Sequence, residues 1–243
     1  MWIFCCGMQR SGSTLQFQIT SRLVEDAGLG KRVEWTKPDR FNKLRKKYAT
    51  DEGWKVFKNH NCTEKMEKEF RRQNAMGVYS YRDLRDVYVS TMRKNNVTFE
   101  QLWQVKFLEQ CLRQYQQWTA LPQVLTSKYE TMMIDLPGEV ARIAAHLGIA
   151  VDLEKCRQIA VEHDIEHQKE RIEDAKRAGR LKHGYANAYF DPDTNLHTNH
   201  IYSGAVGGWQ GVLTEEQVGK IEALAGDWLV ARGYALTTKP TLI

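Results

Sequence analysis

Trp2-Ile3-Phe4-Cys5-Cys6-Gly7-Met8-Gln9-Arg10-Ser11-Gly12-Ser13-Thr14 is the stretch on which the fold turns. An unbroken apolar run enters a polar loop bounded by glycines, and the loop enters Leu15-Gln16-Phe17, where a helical pattern begins. That order predicts a buried strand, a tight turn and a helix. The free N–H groups and positive dipole end of such a helix face an anion. Gly7 and Gly12 have the spacing of the phosphate-binding pattern G-x-x-x-x-G-K-[ST], and Thr14 fills its last place. Ser13 stands where the lysine belongs, and the basic residue, Arg10, lies inside the loop. The spacing therefore predicts a cradle for a phosphate-like group without the cation an ordinary nucleoside triphosphatase uses. A glycine turn also meets purely backbone needs, so the rest of the chain must decide.

Working outward, short apolar runs alternate with helical patterns. Arg32–Trp35 reads as a short strand, Trp54–Lys58 and Met76–Tyr81 as good ones, and Gln123–Ser127 as another. Between them lie a helix ending near Ala27, a basic surface helix over Lys37–Tyr48, and helices over Thr63–Arg72, Asp83–Lys94 and Phe99–Trp118. Helices over Glu139–Leu147, Val161–Ala178 and Thr214–Ala231 follow, the last opened by the capping box Thr214-Glu215-Glu216-Gln217. The alternation predicts an α/β, three-layer, P-loop-like fold with a central parallel sheet flanked by helices. Residues 182–208, rich in His, Asn, Tyr, Gly and Asp, have little periodicity and read as a long functional loop.

The length of 243 residues fits one domain over 1–243. A net charge of +5 suits an anionic small ligand and is too small and dispersed to argue for nucleic acid. No run approaches membrane-spanning length. The five cysteines match no zinc spacing and read as reduced thiols of a cytoplasmic protein.

In a parallel sheet, ligands gather at the carboxyl ends of the strands. The loop Gly7–Thr14, Lys58-Asn59-His60, Arg82 with Ser90 behind it, and Tyr129 all fall there. At this point the chain resembles the sulfotransferases that use 3′-phosphoadenosine 5′-phosphosulfate. Arg10-Ser11-Gly12-Ser13-Thr14 is similar to that family's 5′-phosphosulfate loop. The segment from Tyr81-Arg82-Asp83 to Ser90 resembles its 3′-phosphate motif, which implies that Arg82 and Ser90 hold the 3′-phosphate. Lys58-Asn59-His60 is similar to the family's Lys-x-His, which implies His60 as base and Lys58 beside the sulfuryl group. Tyr129-Glu130 matches a pair near the adenine, and Gly204–Trp209 resembles a C-terminal Gly-x-x-Gly-Asp-Trp segment.

The chain also departs from that pattern. Leu15 replaces an adenine-stacking ring, Gly208 replaces Asp, and Tyr202-Ser203-Gly204 replaces a basic Arg-Lys-Gly, with His197 and His200 as the nearest substitutes. The resemblance implies sulfuryl transfer to a hydroxyl or amine of a small-molecule or glycan acceptor, adenosine 3′,5′-bisphosphate as product, and no metal. Residues 180–208, with Tyr185, Tyr189, Phe190 and His197, are expected to line or cover the acceptor.

His60 suits general-base work because its reference pKa lies near neutrality. Glu34 is a rival base. Arg82 and Arg85 also fit a helix-start charge pattern with Asp83 and Asp86, while Arg93 and Lys94 read as solvated. Trp209 is either a core anchor or a base-stacking platform. A P-loop small-molecule kinase and a non-catalytic binder of adenosine 3′,5′-bisphosphate are the alternative functions.

Overall fold

The computed structural model describes residues 1–34, 36–183, 189–199 and 204–237. Strand β1 (Trp2–Gly7) lies mid-sheet, with β2 (Gly30–Arg32), β3 (Trp54–Lys58), β4 (Ala75–Tyr81) and β5 (Val124–Lys128) in the order β2-β3-β1-β4-β5. Every pair in this five-stranded sheet is parallel. Cys5 sits opposite both Lys58 and Val78, and Gly7 opposite Ser80. This register brings the loop after β1, Lys58, Arg82 and Tyr129 to one edge of the sheet.

The opening apolar run is continuous because both faces of β1 are covered. Trp2, Phe4 and Cys6 join one core, with Phe41, Phe57, Phe70 and Trp118. Ile3 and Cys5 join the other, with Phe17, Val56, Val140 and Ile143. Successive strand side chains point to opposite faces, so two helical layers need this uninterrupted pattern. The second core is supplied by α1 (Ser13–Asp26), α8 (Leu136–Leu147) and α9 (Leu153–Glu162). The first is supplied by α2 (Phe41–Lys47), α3 (Glu64–Arg71), α4 (Leu84–Asn95), α5 (Phe99–Gln104), α6 (Phe107–Thr119) and α11 (Glu215–Ala231). The three-layer α/β arrangement is as the alternation predicts.

Several elements differ from the sequence expectation. The helix expected over Phe99–Trp118 breaks at Lys106, which adopts a left-handed conformation (φ 53°). Its apolar spacing runs through the break, so periodicity does not reveal it. The helix expected over Val161–Ala178 is the end of α9 followed by α10 (Ile165–Arg177), where the Asp164 carboxylate caps the N–H of His167 at 2.9 Å. Lys37–Tyr48 is a short 3-10 turn and α2, and its Phe41 and Leu44 are buried. A short α7 (Tyr129–Ile134) follows β5 directly. The strand expected over Arg32–Trp35 appears earlier, as β2; Trp35 lies outside the described residues.

Between α10 and α11 the regular structure among the described residues is β6 (Lys182–His183) and β7 (Tyr189–Phe190), which pair antiparallel. No described helix is long and apolar enough to cross a membrane. All five cysteines are free.

Candidate functional site

The loop after β1 is fastened from below. Gly7 passes so close to β4 that an added Cβ would lie 2.2 Å from Ser80 Oγ. The Met8 N–H donates to the Ser80 carbonyl at 3.0 Å. The Ser11 hydroxyl is fully buried, 2.7 Å from the Met8 carbonyl and 2.8 Å from Ser80 Oγ. Ser11, expected among the cofactor contacts, therefore turns its side chain away from the cavity and anchors the loop. Arg10 (φ 65°) and Gly12 (φ 80°) adopt left-handed conformations that tighten the turn. A Cβ on Gly12 would come within 2.9 Å of the Tyr129 ring. α1 starts at Ser13, and its first-turn N–H groups have no partners within the helix.

Above the loop opens a cavity of about 1610 Å³, lined by Arg10, Gly12, Ser13, Thr14, Lys58, His60, Arg82, Ser90 and Tyr129 among others. Of the expected site residues only Ser11 stays outside its wall. Lys58 Nζ donates to Thr14 Oγ1 at 2.9 Å, and burial together with repulsion from Arg10 pulls its pKa down to about 8. His60 Nδ1 lies 2.7 Å from the Gly7 carbonyl, and the His60 carbonyl accepts from Trp118 Nε1 at 2.9 Å. A carbonyl only accepts, so Nδ1 carries the ring proton and Nε2 keeps its lone pair. Burial, then the charge of Lys58, lowers the His60 pKa to about 4, against a weaker opposing pull from the Gly7 carbonyl.

Arg10 Nε donates to Ser90 Oγ at 2.9 Å, joining the loop to α4. Arg82 is the hub of the other half. Its guanidinium donates to the Arg10 carbonyl at 3.3 Å and to the Ala205 carbonyl at 2.5 Å. It also pairs with Asp86 at 3.3 Å and lies 4.3 Å from the centroid of the Tyr129 ring. Among the described residues the buried Nε of Arg82 finds no acceptor, which fits an anionic group arriving there. The Tyr129 hydroxyl donates to the Gly204 carbonyl at 3.0 Å.

Two residues that the sequence reading left to the helix dipole or to the adenine pair prove to be organisers. Asp86 accepts the N–H groups of Gly207 at 2.8 Å and Trp209 at 3.0 Å, tying the glycine segment to α4. Glu130 accepts from the Asp83 N–H at 3.0 Å and the Tyr234 hydroxyl at 2.9 Å. Glu130 was marked only by its place just after a strand, and Asp86 reads in sequence as an ordinary acid in a first helical turn. Arg85 pairs with Asp83 and Glu222 and lies 4.3 Å over the Trp209 ring, which makes Trp209 a buried anchor.

Glu34 reaches the cavity wall but is held by Lys47 and the Tyr48 hydroxyl, both at 2.6 Å. Burial pushes its pKa up, yet those bonds outweigh it and hold the carboxyl below its ordinary value. Lys94, read as solvated, is partly buried on the wall, a correction that follows from its place one turn beyond Ser90. Phe190 and His197 line the cavity; Tyr189 does not, standing half-exposed and edge-on to His183. Tyr185, His200, Tyr202 and Ser203 lie outside the described residues.

A parallel sheet with a glycine-bounded loop leading from its central strand into a helix defines a P-loop-like α/β protein. Residues 2–231 match the sulfotransferase domain family, and the chain belongs to that family of enzymes. No curated protein matches it in sequence. Among solved structures it is similar to retinol dehydratase in complex with androsterone and inactive cofactor PAP, with TM-score 0.64 and 20% identity over 99% of this chain and 83% of that one. Mouse sulfotransferase SULT7A1 complexed with PAP gives TM-score 0.68 and 18% identity over 94% and 84%. These likenesses show the fold.

Proposed function

We propose that the chain transfers a sulfuryl group from 3′-phosphoadenosine 5′-phosphosulfate to a hydroxyl or amine acceptor, with His60 as general base. The observation that carries this is the bond from His60 Nδ1 to the Gly7 carbonyl, which fixes the tautomer and leaves Nε2 as an acceptor on the wall of the loop's own cavity. The lowered pKa keeps that nitrogen unprotonated at neutral pH. Glu34, committed to Lys47 and Tyr48, is the weaker candidate.

When bound, the donor supplies the transferable sulfuryl group and an oxygen that leaves with negative charge. Arg10, Ser13, Thr14 and the first-turn N–H groups of α1 would hold its phosphosulfate end, with Gly12 letting the chain pass Tyr129. Ser11 would act through the loop's shape. Lys58, braced by Thr14, would place a cation where charge develops. Arg82 and Ser90 would hold the 3′-phosphate, and Tyr129 would flank the adenosine. The relatives crystallised with PAP, the desulfated bisphosphate, support this donor. The whole of residues 1–243 is read as one catalytic domain, with 180–208 over the acceptor side. Five free thiols suit a reducing, cytoplasmic setting.

The test is an acceptor screen with labelled donor, paired with calorimetry of adenosine 3′,5′-bisphosphate against AMP. Labelled product and a clear preference for the bisphosphate support the reading. Equal affinity for both nucleotides removes the Arg82 and Ser90 roles. Turnover of ATP with Mg²⁺ in place of sulfuryl transfer would favour a kinase.

A further inference from the structure

α6 meets the turn after β3 with two side chains one helical turn apart. Trp118 Nε1 donates to the His60 carbonyl at 2.9 Å, and Gln114 Nε2 donates to Asn61 Oδ1 at 2.5 Å. Residues four apart share a helix face, so one face of α6 grips two consecutive residues of the turn. The backbone on either side is tied as well. The Asn59 N–H donates to the Cys5 carbonyl at 3.0 Å, and the Asn61 N–H to Asn59 Oδ1 at 3.0 Å.

Trp118 is fully buried, and its ring packs on Phe4 and Phe70 with centroids 5.8 and 6.2 Å away. Packing alone asks only for an apolar ring there. The indole brings in addition a single N–H, a donor that water cannot reach and that must find an acceptor inside the protein. It finds the carbonyl of His60. Strand β1 is thus linked to His60 by two routes. Phe4 packs on Trp118, which holds the His60 backbone, and the Gly7 carbonyl accepts from His60 Nδ1 at 2.7 Å. Backbone and ring of His60 are both referenced to the strand that leads into the loop Gly7–Thr14.

Resting on the reading of His60 as general base, we propose that Trp118 is a positioning residue for sulfuryl transfer: its indole N–H fixes the His60 peptide so that Nδ1 meets Gly7 and Nε2 faces the cavity. Trp118 itself does not line the cavity and acts only through His60. Removing the N–H leaves the His60 carbonyl without its donor, a loss costly enough to turn the peptide. The ring then leaves Gly7, the proton is no longer confined to Nδ1, and both tautomers are populated.

The experiment replaces Trp118 by 3-benzothienylalanine, which keeps the ring shape and carries sulfur in place of N–H. Nitrogen-15 NMR of the imidazoles reads the His60 tautomer, its signals assigned by their loss in His60→Ala. The wild type should show the proton on Nδ1. Trp118→3-benzothienylalanine should show both tautomers, and its kcat should fall about 10–100-fold, the scale of a lost buried hydrogen bond, with the donor KM near wild type. Trp118→Phe, which also keeps an apolar ring, should repeat both changes. Phe70→Leu loosens the packing against the same indole but spares its N–H; it should lower the melting temperature and leave tautomer and kcat near wild type. An unmoved tautomer in the benzothienyl variant, or its wild-type kcat when His60→Ala is inactive, overturns the proposal. So does a Phe70→Leu variant that moves tautomer and kcat as far, because packing then places the base. Full turnover in His60→Ala overturns the base reading instead, and the tautomer measurement, which needs no turnover, still decides whether Trp118 holds the ring.

Discussion

The two sides of the cavity are built by different means. The loop after β1 and the ends of β3, β4 and β5 are placed by sheet register, so Gly7, Lys58, Arg82 and Tyr129 inherit positions that backbone pairing sets. The segment after α10 contains two-residue strands and is fastened mostly by side chains. Asp86 holds Gly207 and Trp209, Arg82 holds Ala205, Tyr129 holds Gly204, and Gln18 holds Thr194 at 2.7 Å. Arg32 adds a bond to the Asp193 carbonyl. Sheet register thus sets where the strand ends lie, whereas the late segment is held by a few polar side chains. Two of those, Arg82 and Tyr129, are also candidate donor ligands, so donor binding and placement of the late segment would share their contacts.

The largest effect that would sharpen this contrast is chemical. His60→Ala should lower kcat by about 10²–10⁴, the usual worth of a positioned base, and leave bisphosphate affinity near wild type. Single-turnover kinetics beside calorimetry would check it, and near-wild-type turnover would end the assignment. The pH profile of kcat/KM gives the same test a sign. The folded pKa of His60 is depressed to about 4, so activity that depends on its neutral form persists at pH 6 and is lost as pH falls through about 4. His163 and His197 are also lowered to about 4, chiefly by burial. These groups contribute stability that is full above about 6.5 and lost toward 4, so the melting temperature should fall across that window.

Next in size, Arg82→Ala should weaken adenosine 3′,5′-bisphosphate about 10–100-fold while changing AMP far less, since the lost contacts are charge-assisted. Comparable losses for both nucleotides would show Arg82 acting on the late segment alone. Asp86→Asn leaves shape intact but replaces a carboxyl acceptor of two N–H groups that also pairs with Arg82. It should lower unfolding free energy by about 1–3 kcal/mol, measured in urea. Unchanged stability would show that the late segment does not lean on this residue. Tyr129→Phe keeps the ring beside Gly12 and removes only the bond to Gly204; about 0.5–1.5 kcal/mol is expected, with bisphosphate affinity largely kept.

How far the sequence could be read follows the same division. β1 was legible because a strand covered on both faces reads as an unbroken apolar run, β3 and β4 because short apolar stretches lie between polar turns, and glycine at the loop marks the close pass over Ser80. Lys58, His60, Arg82, Ser90 and Tyr129 were legible as one edge because parallel strands end together. The break at Lys106 was hidden, since apolar spacing continues across a single left-handed residue. The break at His163–Asp164 was marked only by an N-cap aspartate inside a charged run. Ser11 carried a phosphate-loop signature that does not say which way a hydroxyl turns; burial against Ser80 decides it. Asp86 was ambiguous because an acid in a first helical turn has its own dipole rationale. Only the spatial return of residues 207–209 reveals its two partners.

The alternation in β1 has an engineering consequence. Trp2, Phe4 and Cys6 serve one helical layer while Ile3 and Cys5 serve the other, so the strand works as a two-letter reading frame shared by both cores. Swapping one apolar residue for another inside the frame disturbs one layer locally. Deleting a residue between Trp2 and Cys6 instead exchanges the faces of everything on one side of the cut and draws the loop back by about 3.3 Å, one strand step. That distance exceeds any hydrogen bond between the loop and Ser80 or Ser90, so a frameshift in the buried strand would dismantle a cavity whose lining residues were all left in place.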